Sequence, residues 1–216
     1  MSQTSTRLSG AHYDYIKAHA RAEDPFLAEL KKEAAKAGIP SIAIAPEQGA
    51  FMQVLLTSAG VKDVVEVGTL AGYSAITMAR ALPADGHVRT VEFADAHADF
   101  AEAWIAKSDV AGKVTVHRGA GREVLPGFAD ESADAAFLDA DKVNYPHYLE
   151  ECLRILRPGG LVLVDNALAF GHLLDEENQT ESVVAIRKFN DQMAADSRVS
   201  GVIVPLGDGV WVARKV

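Results

Sequence analysis

From residue 61 onward, short apolar runs alternate with stretches of helical period. The runs are residues 63–68 (DVVEVG), 87–93 (HVRTVEF), 113–119 (KVTVHRG), 134–140 (DAAFLDA) and 161–167 (LVLVDNA). Each has strand length and is rich in valine or alanine, so each reads as a largely buried strand. Helical patterns are expected between and after them, at about 72–82, 95–109, 121–126, 144–156 and 179–194. Two last strand-like runs, 199–207 and 209–215, are split by Gly-Asp-Gly, which reads as a tight hairpin turn. Five strand–helix alternations imply parallel strands joined by right-handed crossovers with helices on both faces. The closing hairpin adds an antiparallel strand. The expected fold is therefore α/β: a doubly wound, mostly parallel seven-stranded sheet with an antiparallel C-terminal edge strand.

The first sixty residues read as helical instead. One helix (AHYDYIKAHARAED) is expected to run up to Pro25. A second starts at Asp24-Pro25 and stops at Gly38, and a third opens with Pro46 and closes with Gly60. The whole chain is expected to form a single domain, with 1–60 as a helical extension and 61–216 as the ligand-binding core.

Composition narrows the function classes. The chain has 216 residues, 49% hydrophobic content and a net charge of −9. That supports one sizeable core. The absence of a Lys/Arg-rich block argues against nucleic acid as a partner. No apolar run approaches the ~18 residues of a membrane span, and the start, MSQTSTRLSG, lacks the apolar stretch of a secretory signal. Cys152 is the single cysteine, placed at helical spacing among apolar residues, and reads as a packed thiol. A reducing cytoplasm fits these features.

Ligands of open α/β sheets bind beyond the carboxyl ends of the strands, so the residues at those ends carry the functional argument. The first strand ends in Glu66-Val67-Gly68-Thr69-Leu70-Ala71-Gly72 and the second in Glu92. The third leads into Gly119-Ala120-Gly121. The fourth ends in Asp139, Asp141 and Lys142, and the fifth in Asp165-Asn166. Solvated strand ends are the bland explanation for any one of these, but four strands ending in acidic or amide groups on one edge point to a site. The glycine segment is Gly-x-x-x-Gly, without the middle glycine of a dinucleotide fingerprint. Glu66 beside it would repel a pyrophosphate and suits a cofactor with a cationic end. Glu92 is placed to accept hydrogen bonds from ribose hydroxyls. S-adenosylmethionine combines these features.

Asp139, Asp165 and Asn166 offer hard oxygen ligands if the fourth and fifth strands are neighbours. Such ligands suit Mg²⁺, Mn²⁺ or Ca²⁺ rather than zinc. An ion held by three protein oxygens keeps positions open for two vicinal substrate oxygens, and lowers the pKa of a bound hydroxyl. Lys142, three residues past Asp139, would lose its proton more readily beside such an ion and could then act as the base. A solvated surface lysine is the alternative.

At this point several stretches together resemble one family. PEQGAFMQVLL, EVGTLAGYSA, ALPADGHV, FLDADKVNY, LRPGGLVLVDN and GDGVWVARK are similar to the cation-dependent O-methyltransferases. These include caffeoyl-CoA and catechol O-methyltransferases and small bacterial enzymes. The resemblance runs from about residue 40 to the C-terminus. It implies a class I, Rossmann-like methyltransferase sheet, with Asp139, Asp165 and Asn166 as metal ligands and Lys142 as the catalytic lysine. It also implies methyl-donor contacts at Ile44, Glu66, Gly68, Thr69, Tyr73, Ser74, Glu92 and Ala120, with Asp141 near the adenine. Asp139 counts among both the catalytic and the donor-side residues. Many members are homodimers, and the same is expected here. Where plant members carry Trp-Asn after the Asp-Asn pair, this chain has Ala169 and Phe170, and the loop at 171–182 is acidic. Both differences favour a small catechol-type phenol over a CoA ester.

Two other classes stand beside this reading: a nicotinamide-dependent oxidoreductase and a non-catalytic cofactor-binding protein. The missing fingerprint opposes the first, and the presence of Lys142 opposes the second. His172 is either a substrate-mouth residue or an exposed loop histidine, with the second favoured. Trp104 and Trp211 read as packing residues, and the face carrying Phe51 and Leu55 as either core or dimer contact.

Overall fold

The computed structural model describes residues 6–216; the start of the N-terminal stretch, residues 1–5, lies outside them. The chain runs through α1 (Gly10–His19), α2 (Pro25–Lys36) and α3 (Pro46–Ser58) before entering the sheet. Strands and helices then alternate: β1 (Asp63–Val67), α4 (Tyr73–Ala79), β2 (His87–Glu92), α5 (Asp95–Ile105), β3 (Val114–Arg118), α6 (Gly121–Val124), β4 (Ala133–Leu138), α7 (Tyr145–Ile155), β5 (Leu156–Val164) and α8 (Glu181–Ala195). A hairpin of β6 (Val199–Val204) and β7 (Val210–Lys215) closes the chain.

The seven strands form one sheet in the order β3-β2-β1-β4-β5-β7-β6. β1 to β5 are mutually parallel, and β7 runs antiparallel to both β5 and β6. The hairpin thus supplies the antiparallel C-terminal edge, with β7 on the inside and β6 outermost. The chain winds from β1 toward β3 on one side and from β4 toward β6 on the other. The switch point falls between β1 and β4, where Val67 pairs with Leu138. Ligand crevices in such sheets open there.

Alternation along the central strands sorts side chains to the two faces. Val64, Ala135, Phe137 and Leu163 enter one core with Leu30 of α2, Met52 of α3, Ile76 of α4 and Ile105 of α5. Val65, Ala136, Leu138 and Val164 enter the other with Leu149 and Cys152 of α7 and Phe189 of α8. Burial pushes the Cys152 thiol up to about 12, which makes it a packing residue rather than a nucleophile. Trp211 is also buried, its indole N–H donating to Asn190 Oδ1 at 2.7 Å. Trp104 packs edge-on against Phe26.

The helices expected at about 72–82 and 95–109 end about a turn early, at Ala79 and Ile105, and three further boundaries differ from the sequence expectation, each for a local reason. α1 stops at His19 rather than running to Pro25. Asp24 must be extended, both because it precedes proline and because its side chain caps α2 by accepting from Phe26 N and Leu27 N. β5 starts at Leu156, ahead of the apolar run, because Arg157–Gly160 form an irregular stretch against β4 that shifts the register between Ala133 and Ala135. The hairpin connection is longer than a tight turn, running over residues 205–209 between the two strands. The amide of Gly209 donates to Leu206 O within it. The face of α3 divides: Leu55 packs against the core, Phe51 is half-buried, and Val54 is exposed.

Candidate active site

A cavity of about 680 Å³ opens at the carboxyl edge of the sheet, over the switch point. This size suits a small-molecule ligand. Its walls include Gly68, Thr69, Glu92, Ala120, Asp139 and Asn166, so all five parallel strands reach it through the residues that follow them. A larger depression of about 810 Å³ lies between α2, α3 and α4, but its polar lining is a surface network in which Arg80 pairs with Asp24 and Asp109. No strand end converges on it.

The glycine segment shapes one wall. Gly68 has φ +103, and a Cβ placed there would lie 2.0 Å from the Asp139 carbonyl oxygen. Only glycine lets the β1 and β4 ends pass this closely. Gly72, at φ +87, opens α4 in the left-handed conformation. Between them, Leu70 N donates to Glu92 Oε2 at 2.8 Å, and Ala94 N donates to Glu92 Oε1 at 3.0 Å. The Glu92 carboxylate is therefore fixed before any ligand arrives. Asp141 is held in the same way, accepting from Tyr148 Oη at 2.6 Å and from Asn144 Nδ2 at 2.5 Å. Ile44, Tyr73 and Ser74 complete the wall.

Glu66 sits elsewhere. It is fully buried and does not line the cavity. Thr90 Oγ1 donates to its Oε2 at 2.5 Å, and Thr90 is in turn 2.6 Å from Thr69 Oγ1. Its other oxygen has no partner among the described residues. Burial, reinforced by the charge of Asp139, pushes this carboxyl up to about 8. Glu66 is therefore joined to the cavity wall only through the Thr90 and Thr69 hydroxyls.

The ends of β4 and β5 meet beside this wall. Asp139 N donates to Val67 O and Asp165 N to Leu138 O, which continues the sheet register one step past each strand. Asp165 is nine-tenths buried, and burial together with repulsion from Asp139 pushes its carboxyl up to about 7. Repulsion between neighbouring carboxylates is eased by a nearby positive charge. Lys142 is nearly buried, its Nζ donating to Asp139 Oδ1 at 3.1 Å and to Tyr145 Oη at 2.6 Å. Tyr145 Oη passes a weaker bond to Leu138 O at 3.3 Å. Asn166 takes a left-handed φ of +63, and its Nδ2 donates to Asp208 Oδ2 at 3.1 Å. That commitment leaves the amide oxygen as its remaining acceptor.

Of the residues expected at the site, Ile44, Gly68, Thr69, Tyr73, Ser74, Glu92, Ala120, Asp139, Asp141, Lys142 and Asn166 line the cavity. Glu66 and Asp165 lie behind it. His172 is exposed and pairs with Asp175 at 3.3 Å, away from the cavity. Four contributors escaped the sequence reading: Gln48, Tyr145, Tyr148 and Asp208. Gln48 left a signal, because it shares the i, i+4, i+8 stripe of α3 with buried Met52 and Leu56. A polar residue on a buried stripe needs a partner, and Gln48 Nε2 donates to Asp165 Oδ1 at 2.6 Å. Asp208 left none, since its role depends on where the hairpin folds back.

A doubly wound sheet with a crevice at its switch point is the architecture of a Rossmann-like α/β protein with a small-molecule site. Similarity makes the class narrower. A family profile described as O-methyltransferase matches residues 17–216. A catechol O-methyltransferase of Niastella koreensis is 37% identical over 187 residues, covering 85% of each chain. An O-methyltransferase from Bacillus cereus, solved in complex with SAH, superposes with a TM-score of 0.86 at 33% identity. It covers 95% of this chain and 97% of its own. The O-methyltransferase TomG from Streptomyces achromogenes, solved with SAM, gives 0.83 at 29% identity, covering 95% and 96%. The chain belongs to the O-methyltransferase family, and the expected sheet and enzyme class are borne out. Among the described residues, no helix is long and apolar enough to cross a membrane.

Proposed function

We propose that this chain transfers a methyl group from S-adenosylmethionine to one hydroxyl of a small catechol-type acceptor, with a divalent cation held by Asp139, Asp165 and Asn166. One observation carries the reading: two carboxylates, an amide oxygen and a buried lysine gather at the ends of β4 and β5, beside a cavity of cofactor size. The residues fit a hard cation. Asp165 is held at a raised pKa by burial and by Asp139, as expected where a counter-charge belongs. Among the described residues no three His, Cys, Asp or Glu side chains cluster as a metal site, so the ligand set would include the Asn166 amide. All its donors are oxygens, the preference of Mg²⁺. Such an ion supplies a chelating point for vicinal oxygens and makes their protons easier to remove.

The chain's own residues do the rest. Glu92 and Asp141 present carboxylates, already fixed by backbone and tyrosine donors, to ribose and adenine. Glu66 lies as a buried carboxyl beneath the glycine segment, joined to the wall residue Thr69 through Thr90. Lys142 Nζ, as the free amine, would take the proton of the acceptor hydroxyl, and the oxygen so freed would attack the sulfonium methyl and release S-adenosylhomocysteine. Tyr145 and Asp139 hold Nζ for this task. Most of the rate enhancement comes from alignment and charge placement. A single-domain organisation, a homodimer and a cytoplasmic setting belong to the same proposal; exposed Val54 and Tyr15 in the N-terminal region support the dimer.

Labelled methyl donor and a panel of phenols test the reading. Vicinal diphenols should be methylated, EDTA should abolish transfer, and Mg²⁺ should restore it. Equal rates on monophenols, or indifference to EDTA, would refute it.

A further inference from the structure

Two residues outside the cavity wall hold the oxygen donors from behind. Gln48, 1% exposed, comes from the first turn of α3 and donates to Asp165 Oδ1 across 117 positions of sequence. Asp208 comes from the β6–β7 loop. Its Oδ2 accepts from Asn166 Nδ2 at 3.1 Å and from Phe170 N at 2.7 Å. The two supports meet: a Cβ on Gly207, at φ +57, would lie 2.2 Å from Gln48 Oε1. The backbone of the same loop also accepts from Ala167 N, through Gly209 O, and from Leu168 N, through Asp208 O. Asn166, Ala169 and Phe170 all have positive φ without being glycine. A segment this strained keeps its shape only when its surroundings over-determine it.

We propose that Gln48 and Asp208 are positioning residues, a two-sided clamp that sets the Asp165 carboxylate and the Asn166 amide as a preformed oxygen pair for a divalent cation. The proposal rests on the functional reading above and adds to it the parts of the fold that tune ion affinity. Gln48 fixes which oxygen of Asp165 is engaged and which is free. Asp208 commits the Asn166 nitrogen, so that its oxygen is the donor left for an ion. Supporting residues of this kind commonly change metal affinity by about 10–100-fold.

Mn²⁺ is the probe, titrated into the full chain with saturating S-adenosylhomocysteine and followed by electron paramagnetic resonance. Gln48→Leu removes the donor at similar size, and Asp208→Ala removes the acceptor. Each should raise the Mn²⁺ Kd by about tenfold or more and alter the bound-ion line shape, while S-adenosylhomocysteine affinity stays within about twofold. Asp208→Asn keeps an acceptor oxygen and should restore binding to near the wild-type level. If Gln48→Leu fails to fold, the Asp208 pair decides alone. Folded variants with wild-type Mn²⁺ affinity and line shape would overturn the clamp, as would an equal loss of S-adenosylhomocysteine binding. A wild-type chain that binds no Mn²⁺ would instead overturn the metal reading itself.

Discussion

Lys142→Met separates chemistry from folding. Methionine keeps the length and apolar bulk of the stem and removes only the ammonium. Nζ makes two hydrogen bonds, to Asp139 at 3.1 Å and Tyr145 at 2.6 Å. Bonds to charged groups are worth about 1.5–3 kcal/mol each. Against that loss stands the several kcal/mol that burying an ammonium costs. The two nearly offset, so the net change should stay within about 2 kcal/mol and the melting temperature within about 8 °C. Turnover should fall much further. Loss of a positioned base costs about 10²–10⁴-fold, or roughly 3–5 kcal/mol of barrier. Methyl transfer to catechol at neutral pH, with melting and S-adenosylhomocysteine titration as controls, measures both sides. A nitro-substituted catechol, largely ionised already, has little need of a base, so the deficit should shrink on it. A folded Lys142→Met with a loss below about tenfold (1.4 kcal/mol) would refute the base assignment. So would a deficit independent of acceptor acidity.

Two further outcomes follow from the geometry. Gly68→Ala places a Cβ 2.0 Å from Asp139 O at φ +103; left-handed strain and overpacking together should cost about 2–5 kcal/mol. Its melting temperature should drop by roughly 10 °C and its S-adenosylhomocysteine affinity should fall; a wild-type melt would contradict the close packing of β1 on β4. Glu66 and Asp165 are raised by burial to about 8 and about 7, so the folded chain binds protons that the unfolded chain releases. Their stabilising effect is full below the unfolded values near 4 and is lost as pH rises through about 7 and 8. In EDTA the wild-type melting temperature should therefore fall between about pH 5 and 8 and level off above that, and Glu66→Gln should flatten that fall. A wild-type curve no steeper than the variant's would count against a protonated Glu66.

The strand–helix alternation, the parallel sheet and the closing hairpin were all legible in the sequence, because buried strands and crossover helices leave period and length signatures that survive without coordinates. So was the clustering of Glu92, Asp139, Asp141, Lys142 and Asn166, since a parallel sheet brings its carboxyl ends to one edge whatever the strand order. Adjacency was not legible. That Asp165 stands next to Asp139 depends on β5 pairing with β4, and one chain carries no record of partner choice. The burial of Glu66 behind Thr69 and Thr90 depends on which face its strand position meets.

The supports were hidden for the same reason. Gln48 and Asp165 lie 117 positions apart, and Asp208 reaches Asn166 only because β7 folds back between β5 and β6. The sequence by itself determined the elements, their alternation and the chemical identity of the groups at the strand ends, because those are properties of local pattern and composition. Only the tertiary structure decided which groups touch, which carboxyls lose their water, and what holds each one in place. Burial and contact are set by the packing of segments distant in the chain, and the raised carboxyls, the Lys142 bonds and the clamp all follow from that packing.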